Sequence, residues 1–397
     1  MKAKCLLAAI LLLLLLAASC GGNSGMNPPP VASCTPSSKP EFVYVLNDLP
    51  NTVSMYTADS CTGDLSPTTP ATVATGANSF GAEGLAVDPL GRFAYVANLM
   101  SNATDLATIS MFTINPSTGV LTPTTPATVP TGFFPQGIAI DPSGKFVYTA
   151  NSDDNTVSMF TINSSTGVLT PTTPPAVAAG LSPGFVTVDP SGRFAYVSNG
   201  DDGTISMYNI NSSTGVLTPM TPATVSGGGF ALTIDPAGKF AYVPSPNFNW
   251  VLQFTIDSVT GVLTPNTPGV VPAGNGPAWL AVDPSSKFAY VTNRLDNTVS
   301  MFTIDPSTGN LTANTPASID AGTQPWPIVV DPTGKFVYVG NEDSATVSTY
   351  RLNNDGTLTS TGSAATLDGA FSVGVTKTKW SGPRSRGRRI SGGHRPG

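Results

Sequence analysis

Histidine is almost missing from these 397 residues: the only one is His394, close to the C-terminus. Chemistry that relies on an imidazole base or a histidine-rich metal site has no residue to use before that point. Charge is also scarce, with Asp, Glu, Lys and Arg making up 11% of the chain. Of the 18 Lys and Arg residues, two (Lys2, Lys4) lie in the first 19 positions and seven in 377–397. The body between them keeps 9 basic against 24 acidic residues, a net −15. Such a body is a poor nucleic-acid binder, because phosphate contacts need clustered basic side chains. The regularly spaced oxygen ligands of a calcium loop are missing too, so no metal or other cofactor is expected. Sustained helical periodicity is absent. The apolar run from Leu6 to Leu16 is too short to span a bilayer.

What the chain does have is repetition. Phe-small-Tyr-Val or a close variant begins at Phe42, Phe93, Phe146, Phe194, Phe240, Phe288 and Phe336, spaced 51, 53, 48, 46, 48 and 48 residues apart. A period this regular sets the architecture. Each copy contains four strand-like segments. An apolar one ends in Asp-Pro, as in Gly137-Ile138-Ala139-Ile140-Asp141-Pro142. An Asp-Pro-Ser-Gly turn follows (Asp141 to Gly144), then the Phe-x-Tyr-Val strand, then one such as Thr298 to Ile304. A Ser-Thr-Gly turn (Ser307 to Gly309) leads to a Leu-Thr-Pro-rich segment such as Leu121 to Pro126.

Four antiparallel strands per period of about 48 residues make one propeller blade. Strand residues alternate faces, so every copy puts Phe and Tyr on one face and small residues on the other. Blades can then nest bulky against small. Proline cannot donate to a ladder, which places the Leu-Thr-Pro strand on the outer edge and the Ile-Ala-Ile-Asp strand near the axis. The first copy lacks an inner strand, and an unused one follows the last copy, Phe371 to Thr376. The expected fold is all-β: a seven-bladed β-propeller of four-stranded antiparallel blades, its ring closed by the C-terminal strand.

Tyr290-Val291-Thr292-Asn293, with its Asp-Pro-Ser-Ser-Lys-Phe turn upstream, resembles the YVTN repeats and the seven-bladed lactonase-type propellers. That family includes bacterial 6-phosphogluconolactonases. The resemblance covers roughly residues 35–376. It implies the propeller fold and, as an expectation, lactone hydrolysis by a histidine, arginines and an acid around the channel mouth. This chain departs from that pattern, since His394 lies in the tail. Arg294, with Glu83 or Glu342, is what remains at the mouth, and no catalytic residue carries over.

The termini read differently. Residues 1–19 have the form of a signal peptide. Leu16-Ala17-Ala18-Ser19-Cys20 resembles a bacterial lipobox, making Cys20 the lipidated residue and 20–33 a flexible tether. This predicts an extracytoplasmic, cell-envelope lipoprotein held to a membrane by its lipid alone; cleavage without lipidation would leave a secreted protein. Cys34 and Cys61 fall at the same end of the first blade, where a structural disulfide is expected. Residues 34–376 form the propeller. The basic tail 377–397 has no apolar period and is expected to be disordered.

Stepping back five residues from each inner-strand Asp, or from Thr376, gives a ring of mouth residues: Glu83, Gln136, Gly184, Phe230, Ala278, Trp326 and Phe371. An acid and an amide with aromatics suit a carbohydrate-like or lactone ligand, and the same residues would equally serve as a channel plug. Phe248 and Trp250, in an aromatic loop replacing the usual Asn-Asp one, either extend that wall or form a variant hairpin. Three functions follow: a non-catalytic binding or surface-scaffold module, a divergent lactone or sugar-ester hydrolase using Glu83 and Arg294, and a platform for an envelope protein partner using the acidic loops. Near-identity of the repeats favours the first. A monomer is expected.

Overall fold

The computed structural model describes residues 34, 37, 40–47, 50–76, 82–99, 107–367 and 369–376. The expected signal segment, Cys20 with its expected tether, and the tail from Lys377 lie outside the described residues. The described residues from Ser37 to Thr376 form one compact unit. Among the described residues, no helix is long and apolar enough to cross a membrane.

Seven four-stranded antiparallel sheets follow one another along the chain. Blade 3 shows the pattern: an inner strand Pro135–Ile140, a second strand Phe146–Asn151, a third Thr156–Ile162 and an outer strand Leu169–Ala178. Inner strands of successive blades lie against one another around the axis. Blade 5 differs, its inner strand reduced to Thr233–Ile234 after Gly227-Gly228-Gly229. Blade 1 is made from both ends of the chain, with Ala370–Val375 pairing antiparallel to Glu41–Asn47. Ring closure by the last strand is therefore observed.

The alternation of bulky and small residues decides how blades meet. Phe42 and Tyr44 of blade 1 share a core with Ala94 and Val96 of blade 2. Phe146 and Tyr148 of blade 3 meet Ala195 and Val197 of blade 4. The last interface repeats the rule, with Phe336 and Tyr338 of blade 7 against Val43 and Val45 of blade 1. Six of the seven Phe-x-Tyr tyrosines also find a partner for their buried hydroxyl, Tyr338 being without one among the described residues. Tyr44 Oη donates to the Gly119 carbonyl at 2.8 Å, and Tyr148 Oη to that of Gly215 at 2.9 Å. Each acceptor is the glycine of the next blade's Ser-Thr-Gly turn.

The recurring turns carry their own hydrogen bonds. The buried Asp141 carboxylate accepts the N–H groups of Lys145 and Phe146, both at 2.7 Å, and Gly144 N–H donates to the Asp141 carbonyl at 2.9 Å. Each Asp-Pro-Ser-Gly turn thereby satisfies backbone donors that strand pairing leaves open. The outer strands are exposed along most of their length, in keeping with their prolines.

Candidate functional site

The mouth end is shaped by loops that tie themselves down. In the Tyr-Val-x-Asn unit the Asn side chain clips the second strand to the third. Asn151 Nδ2 donates to Thr156 Oγ1 at 3.0 Å and to Ser158 Oγ at 2.8 Å. The acidic loops have a comparable task. Asp154, Asp202 and Asp296 each accept a backbone N–H of a linking loop, from Phe133 (2.7 Å), Leu181 (2.9 Å) and Asn275 (2.7 Å). Among the described residues no cluster of His, Cys, Asp and Glu has the form of a metal site.

Five of the residues expected at the mouth, Glu83, Gln136, Phe230, Trp326 and Phe371, line one cavity of about 240 Å³. Phe185, Arg294 and Glu342 complete its wall. Every blade thus contributes to it. Gly184 and Ala278, reached by the same step, do not line it. The reason is side-chain size at a bulge that recurs in blades 2, 3, 4, 6 and 7, where the register shifts, as between Pro183 and Val186 and between Pro277 and Leu280. At a bulge two residues oppose one, so strict alternation fails. In blades 2 and 3 the first bulge residue is large (Glu83, Gln136) and the second is Gly84 or Gly137. In blades 4 and 6 the first is small; the following Phe185 lines the cavity, and Trp279 packs edge on against it. A Cβ on Gly137 would lie 2.6 Å from the Cα of Phe185, so glycine there makes room for the ring.

The aromatic side is continuous. Phe185 sits 5.0 Å from Phe230 and 4.7 Å, edge on, from Trp279; Phe230 sits 4.7 Å from Trp326. Edge-to-face rings of this kind hold one another in place. Phe248 and Trp250 stay outside the wall: they stack on each other at 4.8 Å, with Phe248 62% exposed. Their loop is a variant hairpin tip.

On the polar side, the Arg294 guanidinium lies 4.2 Å over the Trp326 ring. Its Nη2 donates to Gln324 Oε1 at 2.6 Å and to Glu342 Oε2 at 2.5 Å. Gln324 is itself fixed through its N–H, which donates to Asn297 Oδ1 at 2.9 Å. Arg294 is thus clamped from three directions, leaving Nε, which is buried, and Nη1 without a protein acceptor among the described residues. Sequence reasoning joined Arg294 with Glu83 in the hydrolase reading and named Glu342 as an alternative acid, without foreseeing the contact between Arg294 and Glu342. The signal was present: Arg294 and Glu342 are 48 residues apart, one repeat, so they hold equivalent places on neighbouring blades.

The model of the family described as Lactonase, 7-bladed beta-propeller, matches residues 35–180, 170–270 and 264–375. The chain belongs to the seven-bladed lactonase propellers. Solved structures show the fold of this lactonase-family propeller elsewhere. A provisionally assigned 6-phosphogluconolactonase of Bacteroides fragilis is 20% identical with a TM-score of 0.71, covering 88% of this chain and 100% of its own. A similarly assigned protein of Bacteroides uniformis is 22% identical with a TM-score of 0.72, covering 86% and 100%. The periplasmic gluconolactonase of Pseudomonas aeruginosa is 18% identical with a TM-score of 0.69, covering 85% and 99%. No curated protein matches the chain.

Cys34 and Cys61 of this lactonase-family propeller are both disulfide-bonded.

Proposed function

We propose that the axial cavity binds a small lactone and opens it by hydrolysis. The observation that carries the reading is the clamped Arg294 in a cavity that also holds Glu83, three blades away around the ring. A cavity of about 240 Å³ is below the ~300 Å³ at which drug-sized sites begin, which suits a single small ring. Membership of the lactonase family supports this over the non-catalytic module that the uniform repeats favour.

Lactone opening needs a base for water and a donor for the developing oxyanion. In the proposed cycle Glu83 takes a proton from a water molecule as its oxygen bonds to the lactone carbonyl carbon. The negative charge that develops on the carbonyl oxygen is met by Arg294, whose Nε and Nη1 are the open donors. Collapse breaks the ring C–O bond, and the leaving alkoxide takes the proton back from Glu83. The product is a hydroxy acid, which ionises to a carboxylate. Glu342 positions Arg294 as its counter-ion. Beside Glu83 and Glu342, the new carboxylate is repelled, which favours release.

Hydrolysis of a lactone panel, followed by acid release, tests this. Glu83→Gln and Arg294→Ala are each expected to lower kcat/KM by about 10²–10³-fold. Wild-type protein inert to every lactone, or Glu83→Gln at full activity, overturns it. The exported, Cys20-anchored state belongs to the same proposal, supported by Lys2, Lys4 and the apolar run that precedes Cys20. Its check is release of the Cys20→Ala protein from the membrane fraction.

A further inference from the structure

We infer that this site takes an uncharged lactone with one apolar face and rejects a phosphorylated one. The inference rests on the lactone-hydrolase reading above and narrows its substrate. Charge is the first ground. Among the described residues Arg294 is the single Lys or Arg at the mouth, against the carboxylates of Glu83 and Glu342. The other basic residues of the ring are elsewhere. Those of the recurring turns, such as Lys145 and Arg193, precede the second strands at the far end of the inner strands. Six residues of strand separate them from the mouth, roughly 20 Å. Arg351 is engaged at that far end too, donating to the Cys61 carbonyl at 3.0 Å.

The second ground is that Arg294 is already spoken for. Its Nη2 is held by Gln324 and Glu342, and its face is covered by Trp326. A phosphate prefers a bidentate guanidinium or several cations. To offer its fork here, Arg294 would have to leave Glu342 and expose a second carboxylate beside the phosphate dianion. A neutral carbonyl oxygen needs one open N–H and asks for no such rearrangement.

The third ground is the aromatic part of the wall. Phe185, Phe230, Trp326 and Phe371 make up half of the cavity lining, and a tilted and an edge-to-face contact hold Phe185, Phe230 and Trp326 fixed. A fixed aromatic surface takes an aryl or CH-rich ring face without hydrogen-bond loss. Charged substituents placed against it would be desolvated without a partner.

The test compares glucono-1,5-lactone, its 6-phosphate ester and the aryl lactone dihydrocoumarin on the full-length protein at low ionic strength. The neutral lactones are expected to exceed the phosphate ester in kcat/KM by about tenfold or more, with the gap narrowing as salt is raised. Gln136→Arg, which adds a cation to the wall, is expected to close most of that gap. Preference for the phosphate ester, or no change on Gln136→Arg, overturns the inference. Quenching of tryptophan fluorescence reads binding independently of turnover. If no lactone is opened but dihydrocoumarin binds and the phosphate ester does not, the hydrolase reading fails while the selectivity stands. Equal quenching by both ends the selectivity whatever happens to turnover.

Discussion

The N–H of Phe42 donates to Thr376 Oγ1 at 3.0 Å, and the N–H of Thr376 donates back to the Phe42 carbonyl at 3.0 Å, across 334 residues of sequence. In blade 3 the partner of Phe146 N–H is the carboxylate of Asp141. At the seam Thr376 stands in for that aspartate, and Glu41 stands where Lys145 does. The ring is closed by the same backbone geometry with its turn charges changed.

Truncation after Ala370 removes the strand that covers Glu41–Asn47 and leaves a buried edge open. A marked drop in the urea midpoint is expected. Thr376→Val keeps the strand and removes one acceptor, stranding a buried N–H at a cost of about 1–3 kcal/mol. A truncated protein as resistant to urea as the parent would show that the seam contributes nothing.

Glu41 makes the seam sensitive to pH. It is 6% exposed, and its Oε1 has no hydrogen-bond partner among the described residues. Burial, reinforced by Asp331 and opposed by Lys335, pushes its carboxyl up from 4.5 to about 8. The native state therefore keeps a proton that the unfolded chain loses. The stabilising contribution is full below about pH 4.5 and is lost as pH rises through about 8. Glu41→Gln should flatten that fall and make the protein more stable than its parent above pH 8. Identical pH profiles from urea titrations of the two proteins would count against this account.

Gly119 has φ +71°, and a Cβ there would lie 2.3 Å from a ring carbon of Phe42. Gly119→Ala combines backbone strain with overpacking between blades 1 and 2. The expected loss is about 2–4 kcal/mol. Chemical denaturation decides it, with a loss under about 0.5 kcal/mol being the unfavourable outcome.

Trp326→Ala removes the ring beneath Arg294. Loss of a cation–π contact is worth about 0.5–2 kcal/mol, roughly a two- to thirtyfold rise in KM if the ring positions Arg294 for a bound lactone. Trp326→Phe should restore part of it. The comparison is of steady-state constants across the three proteins, and it fails if KM is unmoved in both variants.

Non-reducing peptide mapping is expected to recover Cys34 and Cys61 in one cross-linked peptide. Cys61→Ser should then lower stability by about 3–4 kcal/mol in the chain-entropy view. Separate partners for the two cysteines would refute the pairing.

Much of the fold is legible in the seven Phe-x-Tyr-Val copies. Their two-residue alternation appears unchanged as bulky-on-small nesting at each blade interface, because strand geometry leaves no other way to hide Phe and Tyr. The unpaired first copy and the spare segment ending at Thr376 told of a closed ring. The mouth was legible only in part. Glu83, Gln136, Phe230, Trp326 and Phe371 follow from counting along the strand, whereas Phe185 does not: the bulge recurs in blades 2, 3, 4, 6 and 7, and only where its first residue is as small as Gly184 does the next side chain line the cavity.

Local chemistry written in the chain determined the blades, their faces and their turns, since each depends on residues within one repeat, and the copies from Phe42 to Phe336 with the spare segment ending at Thr376 set their number. The tertiary structure decided which large side chains turn toward the axis, and that Arg294 is clamped by Glu342, Gln324 and Trp326. Those outcomes depend on how neighbouring blades are set against each other. That relation exists only once a 48-residue separation along the chain has become a contact of 2.5 Å.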